Sequence, residues 1–250
     1  MNPQAGGTGK YPAAYTTDSS LPKHTIYAPK TVPQGVKLPI MVWGNGACAA
    51  DGLAFRGFLT EVASHGYVII ASGAPNGQGS TTSKQMRDAI DWISARAGTA
   101  GTPYAAVDKT KVAAAGMSCG GVEAYDQKDD ARVATLGIFN SGLLQNTGAV
   151  ATIRKPVFYF MGGTSDIAYQ NAERDYKGLP AGTPSWKGNL PVGHGGTYNQ
   201  ANGGKFGKAA VHWLNWVLKG DATSGAYFKT SAAAADGFTV EKKNLDKLPA

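Results

Sequence analysis

The chain has 250 residues, 42% of them hydrophobic and 10% aromatic, enough for one sizeable core with no compositional seam at which a second domain would begin. Its formal charge of +7 comes from Lys and Arg residues scattered along the chain without a basic run, a pattern that predicts no nucleic-acid partner and would still suit a polyanion such as an acidic polymer. Apolar runs such as 67–71 and 157–161 are far shorter than the ~20 residues of a membrane span, so no membrane segment is expected, and the chain is read as a monomer.

The first residues, Met1-Asn2-Pro3-Gln4-Ala5-Gly6-Gly7, lack the charged-then-apolar pattern of a secretion signal. The expectation is a mature extracellular chain carrying a start methionine, with a cytoplasmic protein as the alternative. Strands are predicted at 23–27, 38–43, 67–72, 111–117, 134–139 and 156–161, several of them apolar on both faces as buried parallel strands are. A first helix carries Phe55, Phe58, Leu59 and Val62 on one face and stops at His65-Gly66. A second has the stripe Met86, Ala89, Ile90 and Ile93, with Ser83 as N-cap and Gly98 beyond its end. A third, 205–218, aligns Phe206, Ala210, Trp213 and Val217. Strands alternating with helices predict an α/β fold with a mostly parallel central sheet and helices on both faces, in one domain spanning 1–250, with 1–20 and 221–250 peripheral.

The predicted strand 111–117 runs into Gly116-Met117-Ser118-Cys119-Gly120-Gly121, which reads G-x-S-x-G at the end of a strand and ahead of a helix. A turn this tight excludes large flanking side chains and lifts the serine hydroxyl above the sheet, where the next helix's N-terminal amides face the charge of acyl transfer. Ser118 is therefore the candidate nucleophile. It needs a base, and the chain has only four histidines. His24 lies in an early strand, His65 at a helix end and His212 within an amphipathic helix, which leaves His194 in the loop Pro191-Val192-Gly193-His194-Gly195-Gly196.

A carboxylate must orient that base, and in strand-turn-helix serine hydrolases it lies between serine and histidine in the chain. Glu123, Asp126, Asp129 and Asp130 belong to the helix after Ser118 or its exit, and Glu173 and Asp175 to a polar helix further on. Asp166 follows the apolar strand 156–161 and is the candidate, with capping of a helix from 167 onward as a second, compatible role. The oxyanion is expected to meet the backbone amides of Cys119 and Ala47, with Cys48 as the alternative to Ala47. Those two loops must approach each other, so Cys48 and Cys119 are expected to be close, either as a disulfide or as two small buried thiols.

These motifs resemble the α/β-hydrolase superfamily, in its dienelactone hydrolase, cutinase and polyester hydrolase neighbourhood, and the chain is similar to compact secreted fungal hydrolases from about Pro22 to Lys219. The resemblance rests on Pro39-Ile40-Met41-Val42-Trp43-Gly44-Asn45-Gly46, the Ser118 elbow, the strand leading to Asp166 and Gly193-His194-Gly195-Gly196. It implies a serine hydrolase cleaving carboxylic esters. There are departures: polyester hydrolases usually carry a bulky aromatic residue where Ala47 stands and an apolar one where Cys119 stands, and dienelactone hydrolases use a cysteine in place of Ser118.

The short interval before Lys155 leaves no room for a cap domain, which suits a small-molecule ester or one borne at the edge of a polymer. Trp43, Asn45, Asn140, Tyr198 and Trp186 are the candidates for the cleft wall, since all are read as lying near the C-terminal ends of strands. No metal site, phosphate loop or cofactor is expected, because His and Cys are few and G-x-x-x-x-G-K-S/T is absent. The rival readings are a peptidase or amidase using the same residues, and a non-catalytic ligand-binding protein.

Overall fold

The computed structural model describes residues 5–249; the first four residues and the last, part of the termini read as peripheral, lie outside them. One nine-stranded sheet organises the chain. Its strands are β1 (Ala13–Thr16), β2 (His24–Pro29), β3 (Leu38–Gly44), β4 (Val68–Ser72), β5 (Val107–Met117), β6 (Val133–Phe139), β7 (Val157–Met161), β8 (Ser185–Asn189) and β9 (Thr239–Lys243). They lie in the order β1-β2-β4-β3-β5-β6-β7-β8-β9. The six from β4 to β8 are parallel, while β1, β2 and β9 run antiparallel to their neighbours.

Both faces of the parallel strands are buried, and alternation assigns their residues. Met41 and Trp43 of β3, with Phe158 and Phe160 of β7, point to one face, where α1 (Arg56–Ser64), α5 (Gly204–Lys219) and α6 (Ala222–Lys229) bury an aromatic-rich layer. Ile40, Val42, Val157 and Tyr159 point to the other, against α2 (Ser83–Arg96), α3 (Cys119–Tyr125) and α4 (Tyr169–Gly178). The predicted stripes of α1, α2 and α5 are these contacts. The N-cap of α2 is Thr82, not Ser83: Thr82 and Gln85 form a reciprocal capping box, with the Thr82 amide donating to Gln85 Oε1 at 3.0 Å.

The described parts of both terminal regions supply the two edge strands of the sheet and add to its core. Ala13 of β1 is fully buried, Phe228 of α6 lies in the aromatic layer, and β9, beyond the short α7 (Ala232–Ala235), closes the sheet against β8. The connection from β6 to β7 carries only a 3-10 turn at Thr147–Thr152. After β3 the chain first builds β4 on one side, then returns to place β5 on the other, so the C-terminal ends of β3 and β5 flank the point where the winding reverses. Loops leaving such a point open into a crevice.

Candidate active site

Ser118 sits in the turn between β5 and α3 with φ 52° and ψ −117°, a region sparsely populated by residues with a Cβ and costing on the order of 1–3 kcal/mol. Its surroundings hold it there. A Cβ on Gly116 would stand 2.2 Å from the Gly120 carbonyl oxygen, and one on Gly120 would stand 2.0 Å from that of Gly44, so both motif glycines are required by close backbone approach. The Ser118 amide donates to the Phe139 carbonyl at 2.9 Å, and its own carbonyl accepts from the Ser141 hydroxyl at 2.6 Å.

His194 lies in the loop between β8 and α5, whose Gly193 amide donates to the Gly162 carbonyl at 2.8 Å. The ring bridges two partners: Nε2 is 3.0 Å from Ser118 Oγ, and Nδ1 is 2.7 Å from Asp166 Oδ1. Asp166 also accepts from the Ala168 amide at Oδ1, and from the Gly162 amide and Asn140 Nδ2 at Oδ2. Burial pushes its carboxyl upward, but these hydrogen bonds outweigh burial and hold it below the ordinary aspartate range. An ionised Asp166 fixes the proton on Nδ1 and leaves Nε2 to accept from the serine hydroxyl. The expected capping role is not seen: α4 begins at Tyr169 with Ala168 as its N-cap and no side-chain cap, and the Asp166 Oδ1 bond to the Ala168 amide supports only the turn ahead of that helix.

Asn140 is fully paired: Nδ2 donates to Asp166 and to the Gly193 carbonyl, while Oδ1 accepts from the Tyr198 hydroxyl. Burial and then the Asp166 charge push the Tyr198 hydroxyl far up, which keeps it a donor. Tyr198 is therefore a buried support for Asn140, not a cleft wall. Three other expected wall residues are also elsewhere. Trp43 is buried in β3 against Phe55, Phe58 and Phe139. Trp186 is buried in β8 against Phe158, Phe160 and Phe238, because its segment is a strand and not a loop. Asn45 is buried with its amide donating to the carbonyls of Ala49, Asp51 and Ser72, which shapes the turn after β3. Asn140 alone of the five borders the open depression over Ser118.

That depression, about 210 Å³, is walled by Val122, Leu144, Ile167 and Asn171 beside Ser118 and His194. No Asp, Glu, Lys or Arg lines it. Leu144 and Ile167 are 75% and 79% exposed, the two most exposed of the large hydrophobic side chains among the described residues. None of these wall residues stood out in the sequence; an isolated Leu or Ile in a loop carries no periodic signal.

Cys48 and Cys119 form a disulfide, closing a loop 71 residues apart in sequence. The Cys48 amide donates to the Asn45 carbonyl at 3.1 Å and is spent there. The amides of Ala47 and Cys119 have no hydrogen-bond partner among the described residues. Ala47 reaches its position with φ 55°. Among the described residues no cluster of three or more His, Cys, Asp and Glu is placed to hold a metal, and no helix is long and apolar enough to cross a membrane. No protein-family model and no curated protein sequence matches the chain.

Proposed function

We propose that the chain has the α/β-hydrolase fold and is a serine hydrolase that cleaves carboxylic esters through an acyl-enzyme intermediate, with Ser118, His194 and Asp166 as its catalytic triad. The observation that carries this reading is the continuous hydrogen-bond chain Asp166–His194–Ser118 ending on a serine held at positive φ. His194 Nε2 takes the hydroxyl proton as Ser118 Oγ attacks the ester carbonyl carbon, and Asp166 stabilises the imidazolium. The oxyanion of the tetrahedral intermediate accepts from the free amides of Cys119 and Ala47. Its collapse expels the alcohol, protonated by His194; water then attacks the acyl-serine by the same steps and releases the acid.

The uncharged, small depression supports a neutral ester with a short acyl group, gripped at the mouth by Leu144 and Ile167. The disulfide supports an extracellular setting, where thiols stay oxidised. The test is turnover of p-nitrophenyl acetate, butyrate and octanoate by wild type and Ser118→Ala, with fluorophosphonate labelling. Expected are labelling of the wild type only, preference for the shorter chains, and a loss of roughly 10⁴-fold or more in the variant. Absence of both turnover and labelling in the wild type would overturn the hydrolase reading in favour of a ligand-binding protein.

A further inference from the structure

The depression over Ser118 does not end at its own wall. Val122 and Leu144 also border a second groove of about 500 Å³ that runs along α3 and the start of the β6–β7 connection. Leu144 is the ridge between the two. Their chemistry differs: the depression has no charged wall, whereas the groove presents Asp126, Lys128, Asp129, Gln145 and Asn146. Lys128 is ion-paired with Asp129, and Asp126 has no ion-pair partner among the described residues. The groove therefore offers hydrogen-bond acceptors and donors side by side, with one negative charge in excess. A hydroxyl, which donates and accepts at once, meets both kinds of partner there; an anion meets repulsion.

The groove is also pre-formed. The Leu143 amide donates to the buried Asp175 carboxylate at 2.7 Å, and the Leu143 carbonyl accepts from Asn171 Nδ2 at 3.1 Å and from Arg174. Helix α4 thus fixes the loop that carries Leu144, Gln145 and Asn146, and little ordering is left for a ligand to impose.

We propose that this groove is a second subsite that takes the uncharged, hydroxyl-rich alcohol half of the substrate, a sugar or a similar polyol, while the acyl half occupies the depression over Ser118. The proposal rests on the ester-hydrolase reading, since an ester bond at Ser118 must lay one half on each side of it. The small apolar depression suits the acyl side, and the polar groove beyond Leu144 suits the other.

The test compares wild type with the double variant Asp126→Ala/Gln145→Ala on mono-O-acetylcellobiose and on p-nitrophenyl acetate. The ratio of kcat/KM for the two substrates should fall about fivefold in the variant, mainly through a higher KM for the sugar ester, as expected for one or two lost hydrogen bonds. Equal losses on both substrates, or no loss on either, would overturn the subsite. A second arm needs no turnover: cellobiose is titrated into Ser118→Ala protein followed by NMR, and shifts confined to residues around Leu144 support the subsite, whereas their absence sinks it. A wild type that binds cellobiose there but is never labelled by fluorophosphonate would refute the hydrolase reading and leave the saccharide site standing.

Discussion

Ser118 and His194 are the two ends of one 3.0 Å hydrogen bond, yet the chain fixes them by different means. The serine side is closed by covalent and steric constraint: the Cys48–Cys119 disulfide, the packing of Gly116 on Gly120 and of Gly120 on Gly44, and an amide tied to β6. The histidine side is a glycine-rich loop held by polar partners, with Gly193 bonded to Gly162 and Asn140, and the ring itself bonded to Asp166. In the proposed hydrolase, the attacking oxygen is thus immobilised before substrate arrives. The ring proposed to gain and lose a proton is oriented by a carboxylate, whose attraction would strengthen if the ring became charged.

The largest expected effect tests the histidine side. Asp166→Asn keeps the size of the side chain but removes the charge and the preference for a proton on Nδ1, so kcat should fall on the order of 10⁴-fold while the circular dichroism spectrum is retained. Retention of kcat within tenfold would mean that the carboxylate does not set the base. The serine side should answer in stability. Replacing both Cys48 and Cys119 by Ala releases a 71-residue loop and should cost about 4 kcal/mol in urea unfolding. A matched pair of glycine substitutions separates the two sides further. Gly120→Ala drives a Cβ into the Gly44 carbonyl and should cost about 3 kcal/mol, whereas Gly195→Ala, which meets no atom within 4 Å, should change stability by less than about 0.5 kcal/mol. Equal costs at the two positions would erase the distinction.

The same contrast explains what was legible in the sequence. Ser118, His194 and Asp166, which the structure joins by hydrogen bonds, are each legible from a local rule: a glycine-flanked elbow after an apolar strand, a histidine without helical or strand context, and an aspartate after the strand 156–161. Cys48 and Cys119 fall in the two loops that the winding of the sheet brings together, which is why their proximity is legible in the sequence; of the two forms expected, a disulfide or two buried thiols, the structure has the disulfide. The wall residues failed where position depends on tertiary pairing. Trp186 was read as a loop residue because Ser185–Asn189 contains Lys187 and Gly188, which break the apolar pattern of a strand. Lys187 is nevertheless buried, ion-paired with Glu173 of the preceding helix α4 at 2.6 Å and with Glu241 of β9, which is distant in sequence. The strand β9, Thr-Val-Glu-Lys-Lys, is legible only once β8 exists to pair with it. Trp43 was misassigned for the opposite reason: it ends an apolar strand next to the site, but alternation turns its ring under the sheet and not toward the crevice.

The smallest effect separates the two sides by pH. Glu123, on α3 beneath the elbow, is buried, and its oxygens accept from the Thr81 hydroxyl at 3.0 Å with no cation paired to it among the described residues. Burial pushes its carboxyl above the ordinary glutamate range, against the pull of Thr81 and with a further push from Asp126. The native state therefore holds this proton more tightly than the unfolded chain does, and the resulting stability is complete in acid and lost as pH rises through the raised value. Asp166 has the opposite sign: held low by its hydrogen bonds, it stabilises the fold at neutral pH, and that contribution is lost as pH falls below the ordinary aspartate range. Glu123→Gln removes the buried charge while keeping an acceptor for Thr81, so it should raise Tm by about 2 °C at neutral pH and change it little in acid, where the wild-type carboxyl is already neutral. Thermal melts of both proteins at the two pH values decide the matter. A Tm difference that stays constant with pH would place the effect in packing at the elbow, and a gain that grows toward acid would reverse the sign argued for this carboxyl.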